Sequence, residues 1–210
     1  MMTKGTKIGI SMMLIFMLIC VLVPSIAYAS EEGSVTETFS STSEVTAVAT
    51  IKLSGEDASD FRYGINYFSG SNDTEVTSSE VDEFEDEMEE DLAAKESDYT
   101  LDGNRGTYTN IIVSITGAAG WVKSTDEITI EGQTKITFSS INNEADSHSY
   151  KVFMEEDETG SDYELTVPSG YKIDTIKGLS NPVKSNGDKT VKGITTEDNI
   201  EINDVERHIT

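Results

Sequence analysis

The stretch Val45-Thr46-Ala47-Val48-Ala49-Thr50-Ile51-Lys52-Leu53 decides the fold class of this chain, because every second residue from Val45 onward is apolar. A strand with this period of two places one face on a hydrophobic core. Similar short runs follow at 61–68, 107–116, 120–123, 127–131, 134–138, 148–154, 162–167, 171–176, 188–193 and 199–203. Turn-forming residues separate them. The series predicts a mostly β chain folded as a β-sandwich, with one or two small Greek-key units.

Residues 79–95 depart from this pattern and predict one inserted helix. Their apolar residues have the spacing of a single helical face: Val81, Phe84, Met88 and Leu92. The pair Thr77 and Glu80 matches a capping box at the start of this helix. The remaining faces are almost entirely acidic, and like charges four residues apart destabilise an isolated helix. We therefore expect the helix to be docked on the sandwich, or its charge to be neutralised.

The domain organisation can be divided at changes in composition. Residues 30–44 are rich in serine, threonine and glutamate, and they predict a disordered polar tether. Residues 45–141 form the β-sandwich unit that contains the acidic helix, and residues 147–206 form a second, smaller β unit. A faint internal repeat relates 106–130 to 160–202. Because the repeat is short, one domain and two related domains both remain open.

The N-terminus has the three parts of a secretory signal peptide. Lys4 and Lys7 precede the apolar run 8–23, and Ala27-Tyr28-Ala29 is a small-x-small cleavage motif. The apolar run is shorter than the roughly 20 residues that span a bilayer, which argues against an uncleaved anchor. We predict a signal peptide over 1–29, of the proportions typical of Gram-positive bacteria, and a secreted chain that associates non-covalently with the cell surface.

Cleavage of the signal peptide after Ala29 changes the cysteine content and the net charge of the chain. Cys20 is the single cysteine and follows Ile19, which is larger than the residue that lipid attachment requires. The mature chain is then cysteine-free and has no disulfide or catalytic thiol. The chain has 15 basic and 39 acidic residues, and loss of two lysines takes the net charge from −24 to −26. This charge excludes nucleic acid and anionic membranes as partners, which leaves a surface protein or a glycan.

Metal binding is expected only for Ca²⁺, which takes carboxylate oxygens. The candidate ligands are Asp82, Glu85, Asp86 and Glu89 on the acidic helix, although no EF-hand spacing occurs. The alternative is a solvated acidic surface. Zinc is not expected, because the chain offers only two histidines and no mature cysteine.

Catalytic residues are not predicted. A serine hydrolase needs a histidine base, and His148 and His208 lie near a strand start and the C-terminus, without a nucleophile motif. A carboxylate-dependent hydrolase is the enzymatic alternative. For ligand binding, Trp121 and Tyr171 occupy equivalent positions of the internal repeat and are candidates for an aromatic platform, or otherwise core aromatics.

One segment resembles a known family. The run Asp162-Tyr163-Glu164-Leu165-Thr166-Val167-Pro168-Ser169-Gly170-Tyr171 is similar to the prealbumin-like modules of Gram-positive surface proteins, the collagen-adhesin B-type repeats and their pilin relatives. In that family a tyrosine strand enters a Pro-x-Gly-Tyr turn. The resemblance covers about sixty residues at most, and it implies prealbumin-like units and a candidate isopeptide bond between Lys151 and Asn203. Thr166 and Val167 stand where the family has its catalytic acid.

Together these observations predict a secreted, acidic, non-enzymatic β-sandwich protein that binds a partner at or near the bacterial cell surface. Two alternatives follow from the carboxylates: a small secreted hydrolase, and an extracellular module in which Ca²⁺ orders the acidic helix.

Overall fold

The computed structural model describes residues 32–71, 73–139, 141–142, 145–153, 160–196 and 199–206. The predicted signal peptide, with Cys20, lies outside these ranges, and so does His208. Within the described residues, no helix is both long enough and apolar enough to cross a bilayer.

Strands dominate the described chain, as the alternating apolar positions predict. The strands are β1 (Glu32–Ser41), β2 (Glu44–Leu53), β3 (Glu75–Val76), β4 (Tyr99–Leu101), β5 (Asn104–Thr116), β6 (Gly120–Trp121), β7 (Ile128–Phe138), β8 (Ser147–Val152), β9 (Asp162–Thr166), β10 (Tyr171–Lys177), β11 (Leu179–Ser185), β12 (Thr190–Thr195) and β13 (Ile200–Glu206). The two helices are α1 (Gly55–Ser69) and α2 (Ser78–Ala94). The mostly β fold class is confirmed.

Eleven strands form one sheet in the order β10-β13-β8-β4-β5-β7-β2-β1-β9-β12-β11, while β3 and β6 form a separate two-stranded ladder. The sheet curls until its end strands, β10 and β11, lie side by side. Lys184 Nζ on β11 donates to the carbonyl oxygens of Ile173 and Asp174 on β10, at 2.9 and 2.8 Å. The sheet is therefore a nearly closed sandwich around one hydrophobic core.

The acidic helix predicted over 79–95 is confirmed as α2. Its capping box is complete, because Thr77 Oγ1 accepts from the Glu80 amide at 3.3 Å and Glu80 Oε2 accepts from the Thr77 amide at 2.7 Å. The four predicted apolar positions are all buried. The helix docks on β5, as its unbalanced charge led us to expect.

The docking of α2 also protects the edge of β5. Beyond Arg105, β5 pairs with β7 on one side alone. On the other side, Glu89 accepts from the Val113 amide at 2.9 Å and Glu85 accepts from the Ile115 amide at 2.5 Å. Glu85 and Glu89 are about one helical turn apart, and one turn rises 5.4 Å. Val113 and Ile115 are two strand residues apart, which is about 6.7 Å, so the two spacings nearly match. Glutamate side chains thus replace a neighbouring strand.

The strand expected over 61–68 is wrong, because these residues lie in α1. Phe61 and Ile65 fit a strand period of two, but they are also one helical turn apart, and both are buried. Tyr63, which the strand reading places beside them, is 62% exposed. The helix ends at Gly70, whose φ of 76° is the left-handed conformation that glycine adopts most readily.

The polar segment expected to be a disordered tether forms strand β1 over Glu32–Ser41. This strand is antiparallel to β2 and parallel to β9, in the interior of the sheet. Its inward-facing residues are Val35, Glu37 and Phe39. With a glutamate at the middle inward position, the sequence shows too few apolar residues to reveal a buried strand.

The expected boundary between residues 141 and 147 does not divide the sheet. Strand β9 from the second predicted unit pairs with β1, and β8 pairs with β4. Strands of the second predicted unit thus lie on both sides of the strands of the first, in one hydrogen-bonded sheet.

Candidate functional site

Trp121, the single tryptophan of the chain, lies in a short segment, residues 117–126, which we call the Trp121 loop. It connects β5 to β7 and contains β6. Trp121 is 57% exposed, whereas Ala118 and Val122 on either side of it are buried. The loop is therefore anchored by small apolar residues while it presents a large aromatic side chain to solvent.

A buried arginine on α1 holds this loop. Arg62 is 1% exposed, and its guanidinium donates to five backbone carbonyl oxygens: Ala118 at 3.2 Å, Ala58 at 3.3 Å, Ser124 at 2.7 Å, Gly117 at 2.5 Å and Asp126 at 3.1 Å. Four of these carbonyls belong to the Trp121 loop. Since the guanidinium has five N–H donors in a planar fork, the set uses its full capacity.

The electrostatics of this contact are unusual for an arginine. Its hydrogen bonds all go to carbonyl dipoles, and none goes to a carboxylate. Burial lowers the pKa of Arg62, and the negative charge of Asp126 partly opposes that effect. Because burying a charge is costly unless it is well hydrogen-bonded, the loop must keep its shape for the arginine to remain inside.

Backbone contacts fix Trp121 further. Trp121 is the register partner of Glu75 in the β3–β6 ladder. The Val122 amide donates to the carbonyl of Thr74 at 3.0 Å, and the Ser124 amide donates to the carbonyl of Trp121 at 2.8 Å. The backbone of Trp121 is thus held at a defined place on the surface, opposite the exposed Glu75.

The aromatic platform expected from Trp121 and Tyr171 is not formed by these two residues together. Tyr171 lies on β10 and is 7% exposed. Its hydroxyl donates to the carbonyl of Ala145 at 3.0 Å, and its ring lies 5.2 Å from that of His148. The structure therefore separates an exposed tryptophan from a tyrosine of the core.

The expected Ca²⁺ ligands are divided by the docking of α2. Glu85 and Glu89 accept hydrogen bonds from β5, whereas Asp82 and Asp86 are exposed. Burial raises the pKa of Glu85, the Ile115 amide lowers it, and neighbouring carboxylates raise it again. In the part of the chain that the structure describes, no three His, Cys, Asp or Glu side chains are grouped to hold a metal ion.

The candidate isopeptide residues lie on adjacent strands, but each has its own partner. Lys151 Nζ is 3.5 Å from a carboxylate oxygen of Glu201. Asn203 Nδ2 donates to Thr175 Oγ1 at 2.8 Å. In the strand register, Lys151 faces Glu201 and Asn203 faces Ser149.

Sequence reasoning missed a buried acid in the core. Glu37 on β1 is fully buried, and its Oε2 accepts from the hydroxyls of Tyr163 at 2.5 Å and Tyr150 at 3.0 Å. Burial raises the pKa of Glu37 to about 7, although both hydroxyls lower it. The Tyr99 hydroxyl approaches the same carboxyl without hydrogen-bond geometry. The sequence signal for Glu37 is limited to its place midway between Val35 and Phe39, two apolar residues that share its face of the strand.

A second missed cluster joins β4, β8 and β13. His148 Nδ1 lies 2.6 Å from one carboxylate oxygen of Asp102, and the other carboxylate oxygen accepts from the Ser149 amide at 2.8 Å. Asp204 accepts from the His148 amide at 3.0 Å, and burial raises the pKa of Asp204 to about 6. His148 is buried, at 4% exposed. Its contacts with Asp102 and Asp204 connect the β4–β5 turn to β8 and β13.

Comparisons with known proteins identify no family. No family model matches the chain, and no curated protein matches it. Among solved structures, an M1 zinc metallopeptidase from Deinococcus radiodurans is similar at a TM-score of 0.33 and 10% identity, over 88% of this chain and 45% of that one. A mutant of the enzyme bound to a Tyr-Ser-Ala substrate gives 0.31 and 11%, with the same coverage. The chain thus spans less than half the length of these structures, and at these TM-scores the likeness identifies neither a fold nor an activity.

Proposed function

We propose that this chain is an exported, non-enzymatic binding protein that acts at or near the bacterial cell surface, and that it contacts a surface protein or glycan through the Trp121 loop. One observation carries this proposal: a fully engaged, buried guanidinium holds the loop that presents Trp121. The predicted signal peptide supports the cellular location.

The physical argument concerns preorganisation. A loop that is ordered before binding loses less conformational entropy in the complex, and this increases affinity without additional contacts. Tryptophan is also the side chain most often found at the energetic centre of an interface. An indole exposed on a rigid loop is therefore better suited to recognition than to stability.

The charged residues around Trp121 limit the classes of partner that can bind there. Glu75, the register partner of Trp121, is exposed, and Asp126 and Glu127 are exposed at the end of the connection between β5 and β7. Lys123 is an exposed positive charge in the same connection. Anionic polymers are repelled from such a surface. Neutral and cationic partners are compatible with it.

Binding to isolated cell envelopes of a Gram-positive host tests the proposal. The full chain is expressed with its own leader, the processed protein is purified from the medium, and its saturable binding is measured. Loss of a tryptophan anchor costs about 2 kcal/mol or more, so we expect Trp121→Ala to weaken binding roughly 30-fold.

Ile112→Ala is the matched control, because Ile112 is 54% exposed and lies on β5, outside the Trp121 loop. It should bind as the unsubstituted protein does. Equal binding by the Trp121 and Ile112 variants would contradict the assignment of the loop. Retention of the unprocessed chain in the cytosol would contradict the proposed export.

A further inference from the structure

A second surface feature lies on the outer face of the large sheet, on strands that β2 separates from β7. It is an open groove of about 450 Å³ that crosses β1, β9, β12 and β11. Its polar lining includes Ser34, Thr36, Asp162, Glu164 and Lys192. The alternate residues of the same strands, such as Val35 and Leu165, are buried in the core. The groove is thus built from the solvent face of an otherwise ordinary sandwich.

The shape of the groove follows from an irregularity in β11. The pairing of β11 with β12 shifts between Ser180 and Val183, and Asn181 has a φ of 51°. A bulge of this kind bends its strand and increases the local twist. Opposite the bulge, a Cβ atom at Gly193 would lie 3.1 Å from both Leu179 Cβ and the Ser180 carbonyl oxygen, so glycine permits the close approach of β11.

The register aligns unlike side chains across the floor. Thr36 faces Glu164 and Glu164 faces Lys192, while Val183 faces Lys192 from β11. This row places a hydroxyl, a carboxylate, an ammonium group and an apolar side chain side by side. Lys192 Nζ lies 2.8 Å from a Glu164 carboxylate oxygen, so the charges of the row cancel.

A second row runs parallel to the first. Ser34 and Ile194 both face Asp162, from β1 and β12 respectively. Asp162 is exposed, and it forms no ion pair within the described ranges of the chain. Its carboxylate is therefore available to accept hydrogen bonds from a ligand.

The backbone of the floor is not available to a ligand. Strand β9 is hydrogen-bonded to β1 on one side and to β12 on the other. A peptide cannot pair with β9, because that mode of binding requires a free strand edge. Recognition on this floor must come from side chains, which alternate apolar groups such as Val183, 63% exposed, with hydrogen-bonding groups.

Carbohydrates have the complementary chemistry, since they combine apolar C–H faces with many hydroxyl groups. The free carboxylate of Asp162 and the net charge of −24 disfavour acidic sugars. We propose that this groove binds a neutral oligosaccharide. Asp162 accepts hydrogen bonds from sugar hydroxyls, the Glu164–Lys192 pair supplies an acceptor and a donor, and Val183 contacts a C–H face.

Nuclear magnetic resonance titration of the processed full chain tests this site directly. The probes are linear oligomers of glucose, of mannose and of N-acetylglucosamine, with a uronic acid oligomer and a lysine-rich peptide for comparison. We expect at least one neutral oligomer to shift the amide signals of β9 and β12 in a saturable manner. Asp162→Ala should weaken that binding by about tenfold or more, because a hydrogen bond to a charged group is lost.

Asp174→Ala is the matched control, since Asp174 is an exposed aspartate on β10, outside the groove. It should leave the response of the β9 and β12 amide signals unchanged. The proposal is overturned if no neutral oligomer shifts these signals at millimolar concentration, or if Asp162→Ala binds as tightly as the control. Preferential response of the groove to the uronic acid oligomer or to the peptide would also overturn it.

Discussion

The stability of the Glu37→Gln variant relative to the parent should rise with pH. Glutamine keeps the shape of the side chain and an oxygen that can accept from Tyr150 and Tyr163. It removes the charge that burial opposes. The carboxyl of Glu37 ionises near pH 4.5 as an isolated group and near 7 in the fold.

The sign follows from the protons bound in each state. Below about pH 4.5 both the folded and the unfolded chains hold the proton, so ionisation of Glu37 does not affect stability. Between about 4.5 and 7 the unfolded chain alone releases it, and the free energy of unfolding falls as the pH rises. Above about 7 the loss is complete. Each pH unit in this window corresponds to about 1.4 kcal/mol, so Glu37 should lower stability by about 3 kcal/mol.

The assay is urea unfolding of both proteins at about pH 4, 6 and 8. The free energy of unfolding of Glu37→Gln minus that of the parent should increase by about 3 kcal/mol between the lowest and the highest pH. Other groups that titrate in this range, such as Asp204, are common to both proteins and cancel in the difference. A difference that does not change with pH would refute the reasoning, because it would mean that Glu37 ionises normally inside the core.

Two further changes probe the helix contacts. Arg62→Lys keeps the charge but offers three donors in place of five, and carbonyls left without a partner cost about 1–3 kcal/mol each. With two carbonyls unpaired, we expect a loss of at least about 2 kcal/mol and a lower fluorescence anisotropy of Trp121, the single tryptophan. Unchanged anisotropy would show that the loop is held by other contacts. The double variant Glu85→Ala with Glu89→Ala should expose two β5 amides and cost about 2–4 kcal/mol, whereas glutamine at both positions should preserve them. Hydrogen exchange at Val113 and Ile115 should accelerate in the alanine variant alone, and equal exchange in both would refute the edge-protection role.

Local patterns determined the parts of the fold that were predictable. Strand β2 is visible because its inward positions from Val45 to Ile51 are all apolar, and α2 is visible because both its cap and its apolar spacing are intact. Helix α1 was misread as a strand because the spacing of Phe61 and Ile65 fits both the strand period and the helix period. Only the exposure of Tyr63 distinguishes the helix from the strand. Strand β1 was missed because Glu37 interrupts its apolar face.

The candidate sites divide in the same way. Trp121 could be singled out from the sequence because it follows Gly120 at a predicted strand start and matches Tyr171 in the internal repeat. Its exposure, and the burial of Tyr171, follow from which face of each strand meets the core. Arg62 carries no local signal, because four of its five acceptors are backbone atoms more than fifty residues along the chain.

The sequence by itself determined the secondary structure class, the acidic helix and the strong negative charge, because each depends on residues close together in the chain. The tertiary structure decided which strands are neighbours, and with them the burial of Glu37, the groove on β9 and the fixed position of Trp121. These features arise where segments more than fifty residues apart meet, as when Tyr150 and Tyr163 reach Glu37 across 113 and 126 positions. Backbone carbonyls and strand register create such contacts, and neither is visible in the side chains of any one segment.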